Sequence, residues 1–365
     1  MSLIKCKAVC LFGVLLLLLS GCGYKDIDKR LFVVSIGVDQ ADNSSKKYLV
    51  SLKFALPAAS KIGSNEFIII SQKADTMAEA VRVIKTRIDK ELDFSHAKVL
   101  ILSEDLARQK ENAGLYYWLS RRRDIQKVAY VAIGKPSALD VLKVKPKSEE
   151  LPANALILAL PRDGTETPYV ISAYYFDMKK RLIERGLDPI LPVVKAKNDL
   201  LEINTAGIFN KSSLKLSLTQ EETKLLNYIL NREEKSELGV KKGKVKFIVD
   251  INKLKTKYHI YTPKGKEPFI KVDIKVKGRI EETNMRITNG HLSPYEKAAN
   301  AQLTKEITAL LKKIQKENLD PVGFGLRYRA RHFNKNDWEE WKGIYPAITF
   351  KVNAKVNIED TGLIE

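Results

Sequence analysis

Few residues of this chain combine the type and spacing that chemistry needs. Its four histidines, His96, His259, His291 and His332, never stand at a metal-ligand spacing. Its three cysteines, Cys6, Cys10 and Cys22, all lie at the very start. A zinc site, which wants several imidazoles or thiolates around one point, is therefore not expected. There is no Gly-x-Ser-x-Gly elbow to present a serine nucleophile, and no Gly-x-x-x-x-Gly-Lys-Ser loop to cradle a phosphate. Gly323-Phe324-Gly325 is a lone Gly-x-Gly that follows a helical pattern, so a turn or helix start is its reading. Arg121-Arg122-Arg123 fits the solvated end of a helix, where cations meet the negative end of the dipole. His96 reads as a strand-edge residue, and Phe333, Trp338, Trp341 and Tyr345 as core or domain-interface packing. Carboxylates are plentiful, but nothing selects two of them as an acid–base pair. No catalytic residue, metal or ligand-binding residue is assigned.

One thiol has chemistry written around it. Lys5 and Lys7 precede an uncharged apolar run of 12 residues, Ala8 to Leu19, and Leu19-Ser20-Gly21-Cys22 closes it with small residues. That is the layout of a secretory signal peptide, and the run is short of the roughly 20 residues a spanning helix needs. Leu-Ser-Gly-Cys resembles the bacterial lipobox. The resemblance implies cleavage between Gly21 and Cys22 and a diacylglyceryl group, with acyl lipid such as palmitate, on the Cys22 sulfur. Beyond that covalent lipid no cofactor is expected. One acyl chain holds a protein marginally, whereas two hold it stably. Cys6 and Cys10 leave with the signal, so the processed chain has no pair for a disulfide and must be stabilised by burial.

The formal charge of +19 falls to +17 without Lys5 and Lys7. In a cytoplasmic protein such an excess would suggest nucleic acid, but an exported chain has no such partner. The lysines look spread along the sequence, which favours solvated faces that keep sheets soluble over a patch held against anionic headgroups.

These residues need elements to position them. After a polar tether over 22–30, strands are expected at Leu31–Val38, at Tyr48–Leu56 with period two, at Phe67–Ile70, at Val99–Leu102 and at Val128–Ile133. Helices are expected behind the capping box Thr76-Met77-Ala78-Glu79, after Ser103, at Leu115–Leu119, at Ser137–Leu142 and around 169–186. Asp188-Pro189-Ile190-Leu191-Pro192 should be extended, with a domain boundary near 198–203. Thr219-Gln220-Glu221-Glu222 is a second capping box. Val245–Ile251, Ile270–Val276 and Ile348–Ile358 alternate apolar and polar, which indicates an antiparallel sheet with one wet face. The cover for its dry face is a helix over 294–317, opened by a box at Ser293-Pro294-Tyr295-Glu296 and striped by Leu303, Ile307, Leu310, Leu311 and Ile314. The fold class is α+β and multi-domain, with mixed and antiparallel sheets each packed against helices: an α/β region at 31–200, two interleaved domains, and an α+β domain at 203–365.

The ordered blocks resemble a family. Cys22 and its lipobox, Ile36-Gly37-Val38-Asp39, Ser95-His96-Ala97-Lys98-Val99, Ser103-Glu104-Asp105-Leu106-Ala107, Asp188-Pro189-Ile190-Leu191-Pro192, Thr205-Ala206-Gly207-Ile208-Phe209, the Thr219 helix start, Gly323-Phe324-Gly325, Trp338, Tyr345-Pro346 and Thr361-Gly362-Leu363-Ile364 are similar to the Ger(x)C lipoproteins, the C-subunits of nutrient germinant receptors. Gly23-Tyr24 stands where many members have Trp-Asp. The resemblance implies a three-domain α/β fold and a non-enzymatic subunit on the outer face of the spore inner membrane. It also implies assembly there with polytopic A and B subunits to trigger germination. A substrate-binding lipoprotein of a transporter is the alternative; its class has two α/β lobes around a ligand cleft, against which the long C-terminal strands argue. A cell-wall hydrolase is a third reading, without a recognisable site.

Overall fold

The structure, a computed structural model, describes residues 27–42, 45–56, 67–110, 113–146, 154–161, 167–232, 236–263, 265–287, 291–332 and 334–361. The expected signal peptide, Gly21, Cys22 and most of the tether lie outside them, as does Phe333.

Among the described residues the chain builds two sheets, of nine and four strands. Chain order runs β1 (Arg30–Gln40), β2 (Tyr48–Ala55), β3 (Phe67–Ala74), α1 (Met77–Lys85), β4 (Glu91–Asp93), β5 (Val99–Ser103), α2 (Glu104–Arg108), α3 (Ala113–Arg121), β6 (Tyr130–Lys135), α4 (Ala138–Lys143), α5 (Ala155–Ala159), α6 (Tyr175–Ile183), β7 (Ile190–Lys197), β8 (Leu200–Phe209) and β9 (Leu214–Ser217). It continues through α7 (Gln220–Ile229), β10 (Ser236–Lys242), β11 (Val245–Tyr261), β12 (Phe269–Thr283), α8 (Ser293–Lys316), α9 (Phe324–Arg329), α10 (Asp337–Ile344) and β13 (Thr349–Ile358).

The larger sheet is mixed, in the order β3-β2-β1-β5-β6-β7-β8-β9, with β4 beside β1. Its middle strands, β1, β5, β6 and β7, are parallel and joined through helices, as parallel neighbours require. Both faces are covered. Met77, Ile84, Leu115, Leu119, Tyr175 and Met178 of α1, α3 and α6 pack on one; Ala138, Val141, Leu142 and Leu156 of α4 and α5 pack on the other. The boundary expected near 198–203 takes in the β7–β8 turn and the first residues of β8, and the antiparallel pairing of β7 with β8 runs straight across it. The helix expected over 169–186 is shorter, because Tyr169-Val170-Ile171 favours extended backbone and helix begins only at Tyr175.

The smaller sheet has the order β10-β11-β12-β13. Its alternation is as expected, but not every pair is antiparallel: β13 runs parallel to β12. The reason is α8, a 24-residue crossover that returns the chain to the end where β12 began. The capping box expected at Ser293 does not form. Glu296 instead turns to β13. The backbone N–H groups of Ala354, Val356 and Ile358 donate to Thr304 Oγ1, Asn300 Oδ1 and Glu296 Oε1 at 3.3, 2.6 and 2.9 Å. These acceptors recur every four residues and so line one helix face. At the other edge Gln302 accepts from Lys241 N at 3.0 Å and donates to Gly239 O at 2.8 Å. The sheet curls around α8 until one helix satisfies both edge strands, a device that protects edges from pairing with other chains.

One core residue is a lysine. Lys53 on β2 is 1% exposed, donates to Leu142 O at 2.8 Å and lies 3.7 Å above the Phe67 ring. Burial, reinforced by the Lys145 charge, pushes its ammonium down to about 8. Between pH 8 and the unperturbed value the unfolded chain holds a proton that the folded chain releases, so stability rises with pH across that window; below it the full penalty stands. Lys53→Met is expected to stabilise the protein by roughly 1–3 kcal/mol at pH 7 and to flatten that rise. Urea titrations from pH 7 to 10 measure both.

Candidate functional site

The described residues bring no metal cluster together. His96 sits edge-on to Phe32, with ring centroids 4.5 Å apart, in the turn before β5. His332 stacks on Tyr328 at 3.9 Å. His259 and His291 are exposed and separate. Arg121 ends α3, and Arg122 lies over Phe94 and pairs with Asp124, so the arginine run is the helix end expected of it. A groove of about 740 Å³ between β10, β11 and α8 is open and lined by Lys241, Lys246, Gln302 and Glu306 among others. No buried charge orients anything within it.

What the singled-out motifs do is hold elements together. Asp39 accepts from the N–H groups of Ala138 and Leu139 at 2.6 and 3.0 Å, tying the start of α4 to β1. Burial raises its carboxyl. Gly37 leaves the room, since a Cβ there would stand 2.9 Å from Leu142 Cδ1. Ser103 Oγ caps α2. Thr76 Oγ1 caps α1, but the Glu79 carboxylate accepts from Asp75 N rather than closing the box. The Thr219–Glu222 box is complete, and Glu222 also receives Lys313 Nζ at 2.6 Å, joining α7 to α8.

The densest constellation is the junction between the sheets. The turn after α6 and the start of α9 cross backbone to backbone there. Asp320 is 5% exposed and its carboxylate accepts three N–H groups, from Gly323 at 2.8 Å, Phe324 at 3.0 Å and Gly325 at 2.6 Å. Burial pushes this carboxyl up to about 7 against the pull of those donors. Asp320 N donates to Asp188 Oδ2 at 2.7 Å, and Asp188 N to Asp320 O at 2.8 Å. Two cations gather the carbonyls that the turn leaves open. Lys211 Nζ donates to the oxygens of Arg181, Glu184 and Leu187, and Arg181 Nη1 bridges Asp188 O and Pro321 O at 3.1 and 3.0 Å. Desolvation lowers the Lys211 ammonium, although Asp188 opposes it.

Contact is close because two glycines face each other. Gly186 has φ +76°, in the left-handed region, and a Cβ there would lie 2.5 Å from Gly325 C. Trp341 and Tyr345 close the far side, both buried, and Tyr345 donates to Leu319 O at 2.6 Å. Trp338 and Trp341 line a small cavity of about 180 Å³ beside Asp188 and Asp320. Trp338, Trp341 and Tyr345 are thus interface packing, as expected of them. Gly323, at φ +87°, starts α9, also as expected. Sequence reasoning missed Asp320 as the acceptor; its signal was an acid three residues before Gly-Phe-Gly. Most of its hydrogen bonds run from side chains to the protein's own backbone, and Arg181 and Lys211 also pair with the carboxylates of Asp177 and Asp188, so the arrangement ties the two sheets together.

Comparison with known proteins matches this architecture. "Spore germination protein N-terminal domain" describes residues 23–196, and "Spore germination B3/GerAC like, C-terminal" describes residues 204–362. Residues 197–203 between them hold the β7–β8 turn and the start of β8. Spore germination protein KC of Bacillus subtilis (strain 168) is 24% identical, covering 97% of this chain and 96% of its own. Spore germination protein GerQC of Bacillus cereus is 23% identical, covering 97% and 99%. The crystal structure of the GerBC protein superposes with a TM-score of 0.60 at 19% identity, over 88% of this chain and 96% of that one, which shows a shared fold.

Proposed function

This chain belongs to the Ger(x)C family of spore germination proteins, and from that premise we propose that it is the lipid-anchored, non-enzymatic C-subunit of a nutrient germinant receptor. Its role is assembly. The Cys22 lipid confines the folded body to the outer face of the spore inner membrane, which raises its effective concentration beside the polytopic A and B subunits. The observation that carries this reading is the pairing, in order along one chain, of both spore germination domains behind a lipobox. Two further observations support it. The described residues contain no helix long and apolar enough to cross a membrane, so retention there falls to the lipid. Their polar constellations around Asp39 and Asp320 hold elements of the fold together. The transporter alternative needs two lobes around an open cleft, whereas here Asp188 and Asp320 tie the two sheets together through backbone hydrogen bonds.

The test is affinity capture of the full chain from detergent-solubilised spore membranes. Two integral membrane proteins are expected to accompany it at comparable yield. Capture of the chain alone, under conditions that keep other membrane complexes intact, would overturn the assembly role.

A further inference from the structure

The lysines that look scattered along the C-terminal sequence converge on the outward face of the smaller sheet. The concave face of that sheet is filled by α8, and its edges are closed by Gln302, Asn300, Thr304 and Glu296. The convex face has no such cover among the described residues. Residues that alternate outward on β11, β12 and β13 fall into rows across the strands. Lys255, Lys275 and Lys355 form one row, Lys253 and Lys277 start the next, and Lys271 with Lys351 lies two rows away. Lys257 stands opposite Asp273. All of these lysines are exposed.

Neighbouring strands lie about 4.8 Å apart, and like charges placed directly opposite repel. The fold does little to relieve this. Asp273 reaches Lys271 at 3.1 Å and Glu359 reaches Lys277 at 3.4 Å. Among the described residues Lys253, Lys255, Lys257, Lys275 and Lys355 have no carboxylate partner. A sheet that needed lysines only for solubility would gain by interspersing acids. The next row along the same face is aromatic. Tyr261 and Phe269 stack at 4.7 Å, Tyr261 is 42% exposed, and Lys351 lies 3.7 Å over the Phe269 ring.

We infer that this convex sheet face docks on an anionic lipid surface. Charge complementarity chooses the occupant. The face is a grid of point charges across a sheet, which suits a fluid plane of phosphates, and the flanking Tyr261 and Phe269 are the aromatic kind that settles at headgroup level. The inference rests on the proposed membrane location but not on the Cys22 lipid. Headgroup contact would hold the smaller sheet against the bilayer while the anchor holds the other end of the chain.

The test uses the chain from residue 22 with Cys22→Ala, so that no lipid contributes. It is sedimented with phosphatidylcholine vesicles, with or without about one-third phosphatidylglycerol. Binding to the anionic vesicles alone is expected, with release at about 0.5 M salt, where screening acts within a few ångströms. K255E/K275E/K355E is expected to weaken it roughly a hundredfold or more at unchanged melting temperature. K305E/K312E/K316E, which reverses the same charge on exposed α8 positions, should bind nearly as well as the parent. Equal loss in both variants would mean net charge alone, and equal binding to neutral vesicles would mean insertion; either overturns the inference. So does failure to bind anionic vesicles at low salt, an outcome that leaves the anchored-subunit reading standing, since Cys22 would then act unaided.

Discussion

Gly325→Ala is expected to cost about 3–5 kcal/mol, more than a typical point substitution. The methyl group has no room: it would stand 2.4 Å from Trp341 Nε1 and 2.8 Å from Gly186 Cα. Neither neighbour can yield cheaply. Trp341 is buried at the junction, and Gly186 belongs to a backbone turn tied down by Leu326 N donating to its oxygen at 2.9 Å. Overpacking alone costs roughly 1–3 kcal/mol. Moving the α9 start away also stretches the bond from Gly325 N to Asp320, which exposes a buried carboxylate to a lost donor. Gly343→Ala is the matched control. Gly343 lies in α10 with nothing within 4 Å of a would-be Cβ, so alanine there should be neutral or stabilising by about 0.5–1 kcal/mol. Thermal melts of the two variants beside the parent decide the matter. Equal stability would mean that the two backbones do not cross where the structure places them.

The second large effect concerns location. With Cys22→Ala, most of the chain is expected in the soluble fraction after a high-salt wash, and the germination response to nutrients should fall severely. Under the proposed anchoring, two acyl chains on Cys22, at about 0.8 kcal/mol per buried methylene, would supply nearly all of the retention. The lysine face, being screened, holds little under the same wash. Fractionation of spore membranes with and without salt separates the two contributions. A variant that remained bound through the wash and supported full germination would leave the lipid with no role.

Signals in the sequence are legible where the physics is local. The Thr219–Glu222 box, the alternation of β11, β12 and β13 and the apolar stripe of α8 each involve residues within a few positions, and each is present as expected. The direction of β13 was not local. It depends on the crossover through α8, and an alternating strand carries the same pattern in either direction. The curl of the smaller sheet was equally hidden, since Glu296, Asn300, Thr304 and Gln302 reach backbone groups some 50 to 63 residues away. Helix periodicity marked those four only as polar.

The lysines show the limit most clearly. Lys253, Lys255 and Lys257 stand at strand spacing in the sequence, as do Lys275 and Lys277, so each strand's wet face was visible. What was not visible was register, which places Lys255, Lys275 and Lys355 side by side and makes spread charge into one patch. Asp320 was obscured for a related reason. Its donors are three residues and more ahead, but its meaning comes from Gly186 and Asp188, which arrive from the other sheet. Cys22 is the opposite case: its proposed lipid rests on the lipobox alone, because the residue lies outside the described residues.

The proposed membrane anchoring depends most on Cys22 carrying its lipid. The most direct measurement is the intact mass of the chain extracted with detergent from spore inner membranes. A chain beginning at residue 22, heavier than its amino-acid mass by a diacylglyceryl group and acyl lipid, is the expected result. An unmodified thiol at that position, on protein recovered without detergent, would contradict it.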